Sequence, residues 1–468
     1  MSDIFLTNSL TRKKEKFVPV KSGEVGIYSC GPTVYWDQHI GHMYAYVQWD
    51  ILVRFLRFRG LAVKWVMNIT DVGHMTSDED SGEDKMEKGA KRERVSVWDL
   101  ADKYIAQFVE SMELLNIQKP DVLCRATEHI PDQIDLIKKI QDNDFSYKTR
   151  MGVVFDTSKF PDYAKFARLK LEKLKVSSDL AKDAEKKLPW DFLLWITGRP
   201  GHIMQWDSPW GKGFPGWHIE CTAMSTKYLG ETFDIHTGGI EHIAVHHTNE
   251  VAQGFGAFGH RTANFWLHNA WLVAEGGEKM SKSLGNYVTV QDLVAKEVDP
   301  LALRYLFLTS HYKKGLNFSW QALNSATAAL ENLRGIIRGT RETTRTSLSQ
   351  EKLEKVRKFS DQFSAALSDD LNTPTALAIL WEALKSNIPS EDKYDLALNF
   401  DEVLGLRLAQ VSSIKFQISK EIQELIARRE ELRKEEKFEE ADTVRIQILK
   451  KGFVIEDTPK GPRVSKKR

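Results

Sequence analysis

The sequence has few cysteines, almost no net charge and no long apolar run. Its 468 residues include three cysteines, Cys30, Cys124 and Cys221, which lie far apart. Their number and spacing argue against a disulfide framework and leave packing or metal binding as their roles. No segment approaches the ~18 to 20 apolar residues that cross a bilayer, and the first residues lack the basic-then-apolar order of a signal peptide. We therefore expect a cytoplasmic protein without a membrane partner.

The charge balance limits how the chain can meet other molecules. Lysine and arginine number 66 against 65 acidic residues, a formal net charge of +1. A nucleic-acid partner must therefore bind to local basic surfaces, because the molecule as a whole has no strong positive field. The length allows two to four domains with a large core.

A strand, a loop and a helix follow one another near the N-terminus. Apolar residues predict a strand at 25–30 and an amphipathic helix at 41–59, which ends at Gly60. The loop between them contains His39 and His42 on either side of Gly41. In a βαβ unit such a loop lies at the carboxyl ends of the strands, where the first amides of the helix favour a polyphosphate. An ordinary helix start that happens to contain histidines is the alternative interpretation.

The rest of the chain continues the parallel-sheet pattern with one interruption. We expect strands at 62–68 and 232–236, and helices at 96–116, 132–141, 217–230 and from 246 onward. Residues 1–24 predict a hairpin with a basic turn at 12–16. The sheet pattern is lost from about 121 to 187, which indicates an insertion, and returns at 214. Beyond 298 the pattern is helical, with a break at 346–349, a charged helical stretch at 422–451 and a strand-like segment at 453–455.

Five sequence motifs carry a family resemblance. The pentapeptide K-M-S-K-S at 279–283 is expected by chance in fewer than about one in a thousand chains of this size. It matches the second signature of class I aminoacyl-tRNA synthetases, and H-I-G-H at 39–42 matches the first. Together with C-G-P-T-V-Y at 30–35, G-W-H-I-E-C at 216–221 and H-H-T-N-E at 246–250, these motifs resemble the cysteinyl-tRNA synthetase family. The resemblance extends over nearly the whole chain.

The resemblance implies a set of site residues. The catalytic residues would be His39, His42, Lys279 and Lys282. ATP would be bound at His39, Gly41, His42 and Lys282, and Gly31, Thr70 and Trp217 would line the amino-acid pocket. Simple core packing is the alternative role for Trp217.

Four further residues are candidates for a metal site. Two thiolates, one imidazole and one carboxylate, from Cys30, Cys221, His246 and Glu250, suit tetrahedral zinc. His246 and Glu250 are four residues apart and therefore share one face of a helix. Neither cysteine has a C-x-x-C neighbour, so a zinc finger is not expected. The alternative is that these cysteines are small buried hydrophobes, which is the role we expect for Cys124.

The implied activity is that of a cysteine–tRNA ligase. ATP with Mg²⁺ would convert L-cysteine to cysteinyl-adenylate, and the cysteinyl group would pass to the 3′ end of tRNA(Cys). One zinc ion per chain would bind the substrate sulfur as a thiolate and so distinguish cysteine from serine, which an apolar pocket does poorly. We expect a monomer.

The expected architecture is an α/β fold with a Rossmann-like parallel-sheet catalytic domain, followed by a mostly helical stem and a tRNA-binding end. The segments are 1–120 and 214–297 for the two catalytic halves, 121–213 for a connective insertion, 298–345 for a stem-contact region, 346–410 for a helical bundle and 411–468 for an anticodon-binding region. In the last segment Arg428, Arg429, Arg433, Lys434 and Lys437 predict a basic surface. The acidic residues between them favour the alternative of an ordinary solvated helix.

Two departures from the family pattern concern the substrate pocket. The family's His-Gly-Gly-Gly-x-Asp is replaced by H-T-G-G-I-E at 236–241, and its acidic pair after Asp71 by V-G-H at 72–74. Two other functions remain open. A ligase that joins cysteine to an amino sugar shares both signatures, but should lack a full anticodon-binding end. A non-catalytic tRNA-binding relative should have lost a signature histidine or lysine, and this chain keeps all four.

Overall fold

The computed structural model describes most of the chain. The described residues are 3–73, 84–168, 185–199, 201–277, 280, 286–340, 349–409, 420–435, 437–451, 453–458 and 461–466. His74, Lys279, Lys282 and most of the predicted break at 346–349 lie outside them.

Strands and helices alternate in the first two thirds of the chain, and helices dominate the rest. The strands are β1 (Phe5–Asn8), β2 (Lys13–Lys16), β3 (Glu24–Ser29), β4 (Ala62–Ile69), β5 (Val122–Arg125), β6 (Ser146–Thr149), β7 (Gly152–Phe155), β8 (Phe192–Ile196), β9 (Phe214–Pro215), β10 (Phe233–Gly239), β11 (Ala263–Asn269), β12 (Leu272–Val273), β13 (Leu316–Asn317), β14 (Phe453–Thr458) and β15 (Gly461–Lys466). The helices are α1 (Ile40–Phe58), α2 (Lys85–Glu93), α3 (Val97–Leu114), α4 (Ile130–Asp142), α5 (Trp217–Leu229), α6 (His246–Phe258), α7 (Val290–Ala295), α8 (Pro300–Leu308), α9 (Trp320–Thr340), α10 (Gln350–Ser368), α11 (Thr373–Lys385), α12 (Ser390–Leu404), α13 (Lys420–Lys434) and α14 (Phe438–Lys450).

A five-stranded parallel sheet lies at the centre, in the order β11-β10-β3-β4-β5. The chain moves from β3 to β4 and β5 on one side, and later adds β10 and β11 on the other. Because the strand order reverses between β3 and β10, a crevice opens at the carboxyl ends of these two strands. The sheet and the helical C-terminal region confirm the predicted fold class.

Both faces of the sheet are buried, as is usual for parallel strands. Side chains alternate between the faces, so that Trp65 and Met67 of β4 pack into one hydrophobic cluster and Val66 into the other. The same alternation places Ile27 and Tyr28 of β3 in different clusters. Helices α1 and α3 cover the first face, and α4, α5 and α6 cover the second.

Local sequence signals set the predicted helix ends. His39 caps the start of α1, and the chain turns at Gly60, where φ is +80°. Ser96 accepts a hydrogen bond from Asp99 N at the start of α3. Gly230, with φ of +89°, ends α5. These helices confirm the periodicity argument.

Four expectations about strands were wrong. The segment 122–125 was assigned to the insertion, but β5 pairs with β4 at the edge of the parallel sheet. At 214 the chain does not rejoin that sheet, because β9 pairs with β8 in an antiparallel sheet of order β6-β7-β8-β9. The strand β11 was missed, and the basic residues 13–16 form β2 instead of a turn. Strands of two to four residues are too short to show a periodicity that can be recognised alone. The strand β11 is buried along most of its length and therefore shows no regular alternation of apolar and polar residues.

The described chain divides into two compact units, Met1–Ala409 and Gln410–Arg468. In the first, helices α8 to α12 follow the sheet. In the second, α13 packs on α14 and the hairpin β14–β15 follows, with a small core formed by Leu432, Ala441, Val444, Ile448 and Ile455. Among the described residues no helix is both long and apolar enough to cross a membrane.

A buried ion pair joins α8 to α1 in the first unit. Arg304 Nη2 lies 2.6 Å from Asp50 Oδ2, and both side chains are 0% exposed. Arg304 also donates hydrogen bonds to the carbonyl oxygens of Leu404 and Leu115, at 2.7 and 3.1 Å. One guanidinium group therefore connects α1 with the ends of α3 and α12.

Arg304→Ala should destabilise the first unit by about 2 kcal/mol or more, because the buried Asp50 loses one of its two arginine partners, with only Arg54 left, and two carbonyl groups lose their donor. The shift of the urea midpoint, followed by circular dichroism, measures this. Lys355→Ala is the matched control, since Lys355 pairs with Glu351 at 2.7 Å in an exposed position and its loss should leave the midpoint unchanged. Equal shifts in both variants would contradict the assignment.

Candidate active site

A cavity of about 600 Å³ opens at the carboxyl ends of the central strands. The residues that follow β3, β4, β10 and β11 form its walls, together with the start of α1 and α5. It brings together all the predicted substrate-site residues that the structure describes, namely Gly31, His39, Gly41, His42, Thr70 and Trp217. The reversal of strand order at β3 and β10 explains this position.

The two histidines of the first motif lie side by side at the start of α1. Their ring centres are 3.7 Å apart with an interplanar angle of 23°, so the rings are stacked. His39 Nδ1 accepts a hydrogen bond from Gly41 N at 3.0 Å. The first turn of α1 contains no acidic residue, so no carboxylate neutralises the positive end of the helix dipole at the cavity.

Two glycines provide space at this edge of the sheet, one for a neighbouring backbone and one for a side chain. A Cβ atom at Gly31 would lie 1.7 Å from the carbonyl oxygen of Asn68, so strands β3 and β4 could not keep their spacing there. A Cβ atom at Gly41 would lie 2.7 Å from Cε1 of His39. The missing side chain of Gly41 therefore makes room for the imidazole ring, a role that the sequence analysis did not assign.

The four predicted metal ligands converge beside the cavity. Their donor atoms, in Cys30, Cys221, His246 and Glu250, all lie within 4.8 Å of one another. The two sulfur atoms are 4.0 Å apart, and His246 Nε2 is 3.1 Å from Glu250 Oε1. Cys30 ends β3, Cys221 lies in the second turn of α5, and the other two share one face of α6. The tertiary fold thus joins residues that are up to 220 positions apart in the sequence.

The electrostatics of this cluster fit a cation. Burial raises the pKa of Cys30, and raises the pKa of Cys221 and of Glu250 well above their ordinary values. Glu250 is 1% exposed, and its Oε1 accepts no hydrogen bond in the described part of the chain. A buried acceptor without a donor is costly unless a cation lies beside it. The donor set is one that zinc prefers, so the cluster could hold a metal ion.

Known proteins are similar to this chain over most of its length. A family model described as tRNA synthetases class I (C) catalytic domain matches residues 16–328. Cysteine–tRNA ligase 1 of Burkholderia lata is 43% identical over 462 residues, which are 98% of this chain and 96% of that protein. The chain belongs to the cysteine–tRNA ligase family. The cysteine–tRNA ligase of Treponema denticola is also 43% identical, over 97% of each chain, and one from Thermus thermophilus is 39% identical over 98% of each.

A solved structure supports the fold of this family member. Methionyl-tRNA synthetase of Mycobacterium tuberculosis, bound by methionyl-adenylate, superimposes with a TM-score of 0.59 and 15% identity. The match covers 82% of this chain and 90% of that one. At this identity the likeness concerns the fold alone.

Additional histidines surround the cluster of this ligase-family chain and were not predicted. His236 and His247 contact Cys30 Sγ through their Nε2 atoms, at 3.4 and 3.2 Å. With Glu250 they form a second group of donors within metal-binding distance. His268 Nε2 lies 2.7 Å from His247 Nδ1. Only the pairing of β10 with β11 brings His268 here, and β11 was not recognised in the sequence.

Thr70 and Trp217 line the cavity beside the candidate metal ligands. Thr70 is buried and donates a hydrogen bond to Glu220 Oε2 at 3.2 Å. Trp217 is the first residue of α5 and is half-buried, with its ring centre 4.3 Å from that of His246. The Trp217 ring thus packs against the imidazole of a predicted metal ligand at the cavity wall.

Two residues at positions that depart from the family pattern, Thr237 and Glu241, form hydrogen bonds with neighbouring side chains. Thr237 Oγ1 donates to Ser29 Oγ at 2.8 Å between β10 and β3. Glu241 lines the cavity and accepts a hydrogen bond from Trp271 Nε1 at 2.7 Å. Cys124 is buried outside the metal cluster and donates to Met67 O at 3.5 Å, in agreement with a packing role.

Proposed function

We propose that this chain is a cysteine–tRNA ligase that uses ATP with Mg²⁺ to form cysteinyl-adenylate, releases diphosphate and transfers the cysteinyl group to the 3′ end of tRNA(Cys). One observation carries the proposal. Cys30, Cys221 and His246, candidate ligands for a thiophilic metal, line the same cavity as the stacked His39 and His42. A sulfur-bearing substrate held at the first group would have its carboxylate directed into the nucleotide site at the second.

The proposed adenylation is an in-line attack of the cysteine carboxylate on the α-phosphorus of ATP. Catalysis of such a step needs positioning and positive groups around the developing charge, with no protein nucleophile. His39 and His42 donate hydrogen bonds to the phosphates, and the positive end of the α1 dipole attracts them. Lys279 and Lys282 add positive charge from the loop that follows Gly277, a cavity-lining residue with φ of +81°.

The proposed metal is one zinc ion per chain, held by Cys30, Cys221, His246 and Glu250. When bound, zinc supplies a Lewis acid that keeps the substrate sulfur as a thiolate. His236 and His247 orient the Cys30 side chain through the contacts at its Sγ atom. Thr70 and Trp217 enclose the amino acid. Serine is rejected because its hydroxyl group is a poor zinc ligand.

ATP–pyrophosphate exchange with cysteine or with serine, measured with and without tRNA, tests the proposal. Cysteine-dependent exchange should occur without tRNA and should exceed serine-dependent exchange by more than about a hundredfold, the limit of an apolar pocket. Attachment of radiolabelled cysteine to tRNA(Cys) completes the test. Exchange without any transfer to tRNA would instead favour a small-molecule acceptor such as an amino sugar.

The second unit, Gln410–Arg468, is proposed to bind tRNA. Arg428 and Lys437 are exposed on this unit. Arg429 is only 1% exposed and donates a hydrogen bond to Glu430. The prediction that Arg429 belongs to the basic surface was therefore wrong. The remaining basic residues suffice for phosphate contacts. We also propose that this unit contains the anticodon-binding region, that the protein is a monomer and that it is cytoplasmic. The expected segments within the first unit remain predictions, apart from the boundaries near 121 and 214 that are corrected above.

Deletion of residues 410–468 should leave cysteine-dependent exchange nearly intact but raise KM for tRNA by on the order of tenfold or more. The reason is that the first unit has its own core and contains the whole cavity. Initial rates of exchange and aminoacylation at several salt concentrations measure both effects. Equal loss of the two activities would mean that the segment is structural, and undiminished aminoacylation would exclude a role in tRNA binding.

A further inference from the structure

A surface beside the mouth of the cavity combines basic and apolar side chains. We call it the α2–α3 surface and define it by Lys88, Lys91, Arg92, Arg94, Val95 and Trp98. Trp98 is 44% exposed and Val95 42%, and Ile203 next to them is 60% exposed. Trp98 also contacts Trp206, with ring centres 6.4 Å apart at 88°. Large apolar side chains that are grouped and surrounded by charge mark an interaction site.

This surface begins at the cavity itself. Arg92 Cζ lies 3.3 Å from the ring centre of Trp36, and Trp36 lines the cavity. At the other end of α2, Lys85 also lines the cavity, with its Nζ 6.0 Å from the ring centre of Trp217. Both ends of α2 therefore lie beside the cavity wall. A ligand that enters the cavity along α2 would pass over Arg92 and Trp36.

The charge of the surface is positive. The N-terminal capping residue of α2, Asp84, is acidic and is paired with His202. Helix α2 and its C-terminal capping residue contain five basic residues, Lys85, Lys88, Lys91, Arg92 and Arg94, and two acidic ones, Glu87 and Glu93. Both acidic groups are engaged within the protein. Glu87 accepts from Ile203 N at 2.8 Å, and Glu93 accepts from Arg92 and Lys103 at 2.8 and 2.6 Å. Burial acts to raise the pKa of Glu93, but hydrogen bonds from Arg92, Lys103 and Tyr104 lower it to about 2.

The surface is held in place by the insertion. Asp84, which caps α2, accepts a hydrogen bond from His202 Nε2 at 2.8 Å, and both side chains are at most 4% exposed. The His202 ring stacks on Phe214, with ring centres 3.9 Å apart. The backbone amide of the adjacent Ile203 donates a hydrogen bond to Glu87 of α2. These contacts order the basic and apolar groups before a partner arrives, which reduces the entropic cost of binding.

We propose that the α2–α3 surface binds the single-stranded 3′ end of tRNA as this end enters the cavity. Unpaired bases stack on exposed aromatic rings, and the phosphates between them are bound by lysine and arginine. Trp98 supplies the ring, and Lys91 and Arg94 supply the exposed charges. The inference rests on the proposed function, because only a reaction that ends on the 3′ end of an RNA needs this end at the mouth of the cavity.

The test compares two RNA ligands on the full-length protein. One is the complete tRNA(Cys) transcript, and the other is the same transcript without its single-stranded 3′ nucleotides. Lys91→Glu, Arg94→Glu and Trp98→Ala should each weaken binding of the complete transcript by about threefold to tenfold, and the two charge reversals should lower the salt slope by about one. The same variants should bind the shortened transcript as the unmodified protein does.

Two controls accompany the variants. Arg261→Glu reverses an exposed charge beside the amino end of β11, at the sheet edge opposite the cavity, and should change neither binding constant. Trp98→Phe keeps an aromatic ring and should retain affinity. Equal weakening for both transcripts would overturn the proposal, because the surface would then contact the paired stem. Unchanged affinity for the complete transcript would overturn it as well.

The test of the α2–α3 surface and the test of the proposed function give separate results. ATP–pyrophosphate exchange without tRNA is measured for every variant and reports on the adenylation site alone. Absence of exchange in the unmodified protein would refute the proposed function. Normal exchange together with an unchanged dissociation constant of Lys91→Glu and Arg94→Glu would refute only the α2–α3 surface. Both arginine and lysine variants are at exposed positions, so misfolding is not expected to obscure the result.

Discussion

Replacing Cys221 with serine should lower zinc affinity by on the order of a hundredfold or more and should raise KM for cysteine in exchange by a similar factor. The serine hydroxyl group is nearly isosteric with the thiol but does not ionise near neutral pH, so one of the two soft ligands is lost. Cys221 is 1% exposed and lies 4.0 Å from Cys30, so the substitution replaces one of the two adjacent thiols of the cluster. Metal content per chain after dialysis and the kinetics of exchange are the measurements.

Cys124→Ser is the matched control for this change. Cys124 is also buried, but its thiol donates to Met67 O, a bond that a serine hydroxyl group can replace. This variant should keep one zinc ion per chain and the KM of the unmodified protein. Active enzyme without zinc, or a Cys221→Ser protein with full zinc content and unchanged kinetics, would refute the metal site.

Lys282→Ala should reduce the rate of adenylate formation by on the order of a hundredfold or more while cysteine binding stays nearly intact. The charge of this lysine is needed mainly when negative charge moves toward the leaving diphosphate. Lys282 lies outside the described residues, and the prediction depends on its motif and on its place after the glycine turn at 276–277. Exchange rates and a separate binding assay for cysteine distinguish a loss in kcat from a loss in affinity.

A lysine near the same loop serves as a control. Lys296 follows α7, is exposed, and has its Nζ 5.3 Å from the ring centre of Trp320. Lys296→Ala removes the same charge from the same half of the domain and should leave exchange unchanged. If Lys282→Ala exchanged at the unmodified rate, the assignment of the second motif to catalysis would be wrong.

Local patterns in the sequence predicted much of the fold and most of the described site residues. Helix α1 was recognised from its periodicity and from Gly60, and a helix was expected from His246 onward, where α6 begins. These signals lie within one element, so that they do not depend on the rest of the chain. The family motifs then linked Cys30 and Cys221 to the same site, which neither periodicity nor spacing could do.

Such local patterns did not predict the contacts between distant segments. The short strand β5 has only four residues, and its membership in the parallel sheet depends on β4 beside it. His268 reaches the metal cluster only because β11 pairs with β10, and Arg429 is buried although its neighbours in the helix are charged. In each case the deciding interaction comes from a residue outside the local pattern.

The sequence by itself determined the family, the motif residues and the main helices, because these depend on residue types at short spacings. Only the tertiary structure decided that the metal donors and the stacked histidines open into one cavity, that Gly41 accommodates the His39 ring, and that α2 carries a positive surface to the mouth of the cavity. The physical reason is that burial and charge at these positions are properties of the packed strands and helices. They arise when the strand order reverses at β3 and β10 and the insertion closes on Asp84 through His202.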